Sequence, residues 1–408
     1  MIGNERKVRT NTEMDMTKLA GVLAQCVLIG AMSSYTASID ASERADVDQQ
    51  IAILQAVGNE GIGNERASLA MRELEKADGT ALLKVLEAMD EANGLGLNWL
   101  RATADSLVDR ELAARRSLPL GELGEFLLDI RHHPRARRYA FELLSRLEPK
   151  AAERMLPGMI NDPSVELRRD AVQQLVDSAA AFESAKSAEA ATLLYRQALG
   201  AARDVDQIET VTAGLRRLDQ SVDLPRHFGF LMRWQVIGPF DNSGRLGFEQ
   251  VFTPEMEVNL EASYPGKETT AKWQELVTTD EYGMLDINKA FGPLKEATAY
   301  AYTEFKSAEA RPVELRLGCK NAWKIWLNGE FLFGRDEYHR GMRIDQYRIQ
   351  GWLKPGKNTI LVKVCQNEEV KDWTVEWQFQ LRVCDASGTA ILSEDRLPAP
   401  VAAATRRR

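Results

Sequence analysis

Trp373-Thr374-Val375-Glu376-Trp377-Gln378-Phe379-Gln380-Leu381-Arg382-Val383 decides how the second half of this chain is read. The odd positions carry Trp, Val, Trp, Phe, Leu and Val, and the even ones Thr, Glu, Gln, Gln and Arg. Side chains of a strand switch faces at each residue, so this alternation predicts a half-buried strand with Trp373 and Trp377 in the core. Upstream, Val313, Leu315, Leu317 and Cys319 alternate with Glu314, Arg316 and Gly318 in the same way. Trp326-Leu327-Asn328-Gly329-Glu330-Phe331 reads as a hairpin, because Asn-Gly supplies the two positive φ angles of a tight turn between twisted strands. Leu353-Lys354-Pro355-Gly356-Lys357-Asn358 is a second turn, feeding the strand Thr359-Ile-Leu-Val-Lys-Val-Cys365. Short strands with turn signals and little helix predict an antiparallel β-sandwich.

Before about residue 225 the period is three to four. Leu83, Val85 and Leu86, then Leu127, Leu128 and Ile130, then Phe141, Leu143, Leu144 and Leu147 mark successive helical faces. At Asn161-Asp162-Pro163-Ser164 a helix starts: Asp162 can accept from free amides of the first turn, and Pro163 suits a position that needs no donor. Two more helices follow, about 188–202 and 205–218, the latter capped by Asp204. Asp223-Leu224-Pro225 marks the boundary. The expected fold class is multidomain α and β: a helical domain over 41–225, an antiparallel sandwich over 226–398, and a tail over 399–408.

The first 40 residues read as a secretory signal. Lys18 precedes Leu19-Ala-Gly-Val-Leu-Ala-Gln-Cys-Val-Leu-Ile-Gly-Ala-Met32, and Thr36-Ala37-Ser38 offers a small-residue exit. The run is shorter than a membrane span, which wants about 20 apolar residues. Gln25 before Cys26 does not fit a lipoprotein signal. The chain of 408 residues carries a net charge of -8, which excludes a general nucleic-acid binder. Arg406-Arg407-Arg408 reads as a solvated tail.

Two resemblances sharpen this. Asp162-Pro163-Ser164-Val165-Glu166-Leu167-Arg168-Arg169-Asp170-Ala171-Val172 resembles the second half of a HEAT repeat, with weaker copies at Pro134-Arg135-Ala136-Arg137-Arg138-Tyr139-Ala140 and Gly63-Asn64-Glu65-Arg66-Ala67. That implies helical hairpins stacked as an α-solenoid, an architecture that exposes a long surface for protein contacts. Ala322-Trp323-Lys324-Ile325-Trp326-Leu327-Asn328-Gly329, the Leu353-to-Val364 turn and strand, and Trp377-Gln378-Phe379-Gln380-Leu381-Arg382-Val383 resemble a galactose-binding-like jelly roll. The domain is similar to the accessory sugar-binding domain of family 2 glycosidases and to protective-antigen-type domains. Trp234-Gln-Val-Ile-Gly-Pro-Phe240 would open it. The order of parts resembles exported proteins of planctomycete-like bacteria. Sandwiches of this type often carry a structural calcium, but no D-x-D-x-D run supplies ligands, and no other cofactor or metal is implied.

No motif selects catalytic chemistry. His132-His133 are adjacent, not spaced like a helical zinc motif, and no G-x-S-x-G elbow, phosphate-binding glycine loop or C-x-x-C pair occurs. The chain is therefore read as an exported, non-catalytic binding or scaffold protein for protein, glycan or both. Two alternatives stay open: an accessory non-catalytic component of a glycan-degrading system, and a glycosidase-type enzyme whose carboxylates no motif picks out. If Ile325 and Leu327 face the core, Trp326 faces the other way. Trp326, Asn328, Arg335, Tyr338, His339, Arg340 and Asp345 are then the candidate ligand residues, a polar-aromatic patch beside the hairpin. The alternative is that they hold the long loop down. Cys319 shares the inward face and reads as a buried thiol. Cys365 and Cys384 count outward and would form a disulfide if their strands were neighbours.

Overall fold

The structure, a computed structural model, describes residues 46–398. The expected signal over 1–40, with Cys26, and the tail 399–408 lie outside the described residues. Helices fill the first part, through residue 228, and antiparallel sheets with short helical turns fill the rest. The chain forms two compact units. The first ends at Leu156 and also includes Asp162–Leu167; the second comprises Pro157–Asn161 and the described residues from Arg168 on.

The first unit contains α1 (46–55), α2 (Asn64–Leu74), α3 (Ala81–Glu87), α4 (Gly94–Ala113), α5 (Leu120–Leu128), α6 (Pro134–Leu147) and α7 (Pro149–Met155). Leu82, Val85, Leu86, Leu100, Leu107, Leu127 and Leu144, at helical spacing, make its buried face. Asn93 caps α4 by accepting from the amides of Leu95 and Gly96. Arg137 of α6 forms a buried fork with Asp162 at 2.8 and 2.6 Å, and Asp162 also accepts from the Ser164 amide at 2.8 Å. The Asp-Pro turn is thus fixed by the preceding helix and by its own Asp162-to-Ser164 bond. Pro163 is not the first helical residue as expected: the helix begins at Val165, where the Ser164 hydroxyl accepts from the Leu167 amide at 3.4 Å.

The second unit begins with α8 (Val165–Ser184, from Arg168), α9 (Ala188–Ala201), α10 (Val205–Arg217) and the short α11 (Leu224–Phe228). Asp204 precedes α10 but its side chain caps nothing. Arg169 takes that carboxylate instead, at 3.3 Å, together with Asp206 at 2.5 Å. The strands are β1 (Arg233–Asp241), β2 (Ser263–Pro265), β3 (Thr270–Lys272), β4 (Gln274–Val277), β5 (Leu285–Asp286), β6 (Ala297–Ser307), β7 (Arg311–Cys319), β8 (Ala322–Leu327), β9 (Glu330–Arg335), β10 (Tyr347–Leu353), β11 (Gly356–Gln366) and β12 (Gln378–Cys384). A six-stranded sheet runs β4-β1-β6-β11-β8-β9 and a four-stranded sheet β10-β7-β12-β5, with β2-β3 apart. The inner faces of both large sheets share one core, including Trp234, Leu315, Trp323, Val362, Trp377 and Phe379.

The helices α8 to α11 are part of the same unit as the sheets. Val176, Tyr195, Ile208 and Leu215 share a core with Phe228, Phe230 and Met232, and Tyr282 and Ile344 pack against it. Beside this seam Asp345 sits between Arg316 at 2.7 Å and Arg382 at 2.5 Å. Burial works to raise the Asp345 carboxyl, but the Arg382 and Arg316 guanidiniums outweigh it and hold it below the usual range. Arg382 also donates to the carbonyls of Phe228 and Gly388.

Two further expectations need correction, beyond the helix start at Pro163 and the cap that Asp204 does not form. β12 starts at Gln378, and Asp372–Thr374 is a single 3-10 turn, so Trp373 is 62% exposed while Trp377 is fully buried. The Thr374 hydroxyl donates to the Glu369 carbonyl and accepts from the Lys371 amide, and this local bonding displaces the strand. Cys365 and Cys384 lie on β11 and β12, in different sheets, and are free buried thiols. The neighbour relation that a bridge needs is absent. Burial pushes Cys365 up to about 11 and Cys319, in the shared core, up to about 12.

Two predictions follow from the seam. A fragment starting at Arg226 strips the helices from Phe228, Phe230 and Met232. It should aggregate or melt well below the full chain; an unchanged melting of the sheets in circular dichroism would contradict this. His227 lies there too, and burial, with the Arg203 and Arg382 charges, holds its imidazole down to about 4 against an ordinary 6.5. A folded-state value below the unfolded one gives stability that is full above about pH 6.5 and declines as pH falls towards about 4. His227→Gln should flatten that part of a pH series of urea midpoints; an unchanged slope would contradict it.

Candidate functional site

Ala297-Thr298-Ala299-Tyr300-Ala301-Tyr302 opens β6 with two unlike faces. Ala297, Ala299 and Ala301 turn to the shared core, where small side chains let the second sheet approach. Tyr300 and Tyr302 turn to the outer face of the six-stranded sheet. On β11, Val362 and Val364 face the core, while Leu361 joins the outer cluster.

The outer face is partly roofed by a strap, the segment from Asn242 to Trp273. Phe252, Val258, Tyr264 and Trp273 pack on Ile237, Phe240, Tyr300, Tyr302, Trp326 and Leu361. The clasp is Lys363 of β11, fully buried. Its ammonium donates to the Phe248 carbonyl at 3.0 Å, the Gln250 carbonyl at 2.7 Å and the Glu255 carboxylate at 2.8 Å. The rings of Phe252 and Tyr300 lie 5.3 and 5.6 Å from it. The Tyr300 hydroxyl donates to the same Glu255 oxygen. Burial lowers the Lys363 pKa from its ordinary value, and Glu255 opposes that. Gly247 is needed where the strap meets the sheet: a Cβ there would lie 2.5 Å from the Asp241 carbonyl oxygen.

Where the strap stops, a groove of about 350 Å³ opens. Tyr302, Trp326 and Leu361 floor it, the stretch from Pro254 to Val258 walls it, and Asn328, Lys357 and Thr359 edge it. Trp326 is 7% exposed, with the Phe331 ring 5.6 Å away. Glu304 accepts from the Tyr302 hydroxyl at 2.9 Å and from Lys357 at 2.6 Å. Lys357 holds the Glu304 carboxyl below its usual range; burial, then Glu304, raises Tyr302. An apolar aromatic floor edged by hydroxyl, ammonium and carboxylate groups suits a ligand with both C–H faces and hydroxyls.

Of the residues picked from the sequence, the fold brings Trp326 and Asn328 to this groove. The Asn328 amide is committed to the hairpin: it donates to Asn358 at 2.9 Å and accepts from the Thr359 amide at 3.1 Å. Arg335 and Arg340 lie near Glu337, at 3.4 and 3.5 Å. Tyr338 accepts from Asn242 at 3.2 Å and packs on Phe248, Ala322 and Cys365. His339 bonds Asn367 at 2.6 Å. Asp345 is bound to Arg316 and Arg382 on the four-stranded sheet. The residues that the sequence reading missed are Tyr302, Leu361, Lys363, Glu255 and Lys357. The small-large alternation of β6 could have located Tyr302; nothing local marks Lys363 as the partner of Glu255.

Among the described residues, no group of three or more His, Cys, Asp or Glu is placed to hold a metal ion, and no helix is long and apolar enough to cross a membrane. No protein-family model matches the chain, and no curated protein matches it.

Lys363→Met leaves two carbonyls and the Glu255 carboxylate without their cation. The expected loss is about 3–5 kcal/mol, the cost of breaking a buried pair from one side. Urea unfolding measures it; a loss below about 1 kcal/mol would show that the clasp is not what holds the strap.

Proposed function

We propose that this chain is an exported, non-catalytic binding protein whose β part, a jelly roll, takes carbohydrate in the groove floored by Trp326 and Tyr302. HEAT-like helical hairpins, stacked as a solenoid, provide the protein contacts. The observation that carries the reading is the groove itself: aromatic rings form its floor on a rigid six-stranded sheet, and the Lys357-Glu304 pair and Thr359 stand at its edge. A pyranose presents an apolar C–H face to such rings and equatorial hydroxyls to such edges. Seating the floor on neighbouring strands sets its geometry before the ligand arrives, which limits the entropy lost on binding. No pair of groove carboxylates is picked out as an acid and a base, so the reading assigns recognition, not hydrolysis.

The test is binding of neutral polysaccharides by the full chain, read by affinity electrophoresis and calorimetry. Trp326→Ala should weaken binding tenfold or more, because it removes the largest apolar surface of the floor. Because Trp326 also packs, Lys357→Ala is the companion: this side chain is 65% exposed, so the fold should persist while affinity falls several-fold. Folded variants that bind as well as the parent would overturn the reading.

A further inference from the structure

The groove lies on a row of residues that crosses the whole six-stranded sheet. Glu275 of β4 stands opposite Gln235 of β1, and Gln235 stands opposite Tyr302 of β6. Tyr302 stands opposite Leu361 of β11, and Leu361 opposite Trp326 of β8. Trp326 stands opposite Phe331 of β9. This row has one residue per strand and runs at right angles to the strands. Neighbouring strands are about 4.8 Å apart, so it spans roughly 24 Å.

The ends of the row are open, while Tyr302, Leu361 and Trp326 at its middle are each 7% exposed and meet solvent where two cavities reach them. A second cavity of about 400 Å³ is lined by Gln235, Glu275 and Tyr302 at one end. The groove already described is lined by Tyr302, Leu361 and Trp326. Tyr302 belongs to both, so the two cavities adjoin along the row. Phe331, 52% exposed, ends the row at the sheet edge. The strap borders both cavities, through Val258 in one and Leu260 in the other.

We propose that this row is the binding track for an extended, uncharged glycan chain laid across the strands, with about one sugar per strand, and not a pocket for a single sugar. The inference rests on the carbohydrate reading above and names its ligand class. The strand spacing is close to the repeat of an extended glycan, so rings on the row meet successive sugars. Charge decides against an acidic polymer. The cations along the track are committed: Lys357 to Glu304, and Arg396 to the carbonyls of Phe230 and Pro225. Arg233 lies 3.9 Å from Glu275. Carboxylates at Glu257 and Asp395 also line the cavities, so a uronate or sulfate would meet repulsion.

The experiment titrates the full chain with ladders of neutral oligosaccharides of each common linkage, from one to about six sugars, beside polygalacturonate. Affinity should climb at least tenfold from the dimer to the pentamer of the recognised ladder and then level off, and polygalacturonate should bind more weakly. Gln235→Ala and Phe331→Ala, at opposite ends of the row, should each cut affinity for the pentamer several-fold and leave the dimer unchanged. If affinity is flat with length and only Trp326→Ala abolishes it, the site is a single-sugar pocket: the track is wrong and the carbohydrate reading stands. If no ladder binds, or an apolar peptide competes for the groove in their place, both fall.

Discussion

A lysine ammonium with no contact to solvent is the constraint on which the outer face of this protein depends. Lys363 sits in the middle of the six-stranded sheet, where an unpaired charge would cost several kcal/mol. It is tolerated because the strap brings two carbonyls and the Glu255 carboxylate to it, with aromatic faces around it. The dependence runs both ways. With the strap in place, loss of its carbonyls or of Glu255 would leave a buried unpaired charge, and without Lys363 the strap would carry unsatisfied carbonyls. Pro254 to Val258, just beyond the clasp, become the wall of the groove. A structural charge therefore sets the position of a groove it does not itself line.

The same economy shows on β6 and β11. Their inner faces hold Ala and Val, which let the two sheets close on a shared core, and their outer faces hold Tyr300, Tyr302, Leu361 and Lys363. One pair of strands thus supplies both the packing that makes the sheet rigid and the side chains that the strap and groove need. The four-stranded sheet treats its outer face differently. There Arg316, Asp345 and Arg382 form a buried network beside the last helices, so that face is closed by protein.

Much of the architecture was legible because side-chain period is a local property. The change near residue 225 from helical to alternating spacing corresponds to the change from helices to sheets, and Asn328-Gly329 forms its turn with both residues at positive φ. Alternation also put Trp326 on the face opposite Ile325 and Leu327. What stayed hidden depended on distant partners. Trp373 obeyed the alternation but lay in a turn closed by Thr374, and hydroxyl-to-backbone bonds leave no periodic trace. Asp345 followed the hairpin in sequence yet crossed to the other sheet, because its partners Arg316 and Arg382 are there. The cysteine count was sound locally, but strand order, which places β11 and β12 in separate sheets, is not encoded in spacing.

The central claim is that the sheet face exposed beside the strap is where ligand lands. The most direct measurement is chemical-shift mapping of the full chain with a neutral oligosaccharide, following the Trp326 indole proton and the Leu361 methyls. The account predicts saturable shifts there and at Tyr302, with the buried Trp377 indole unmoved. Shifts centred instead on Tyr338 and His339, or none on this face at saturation, would contradict it.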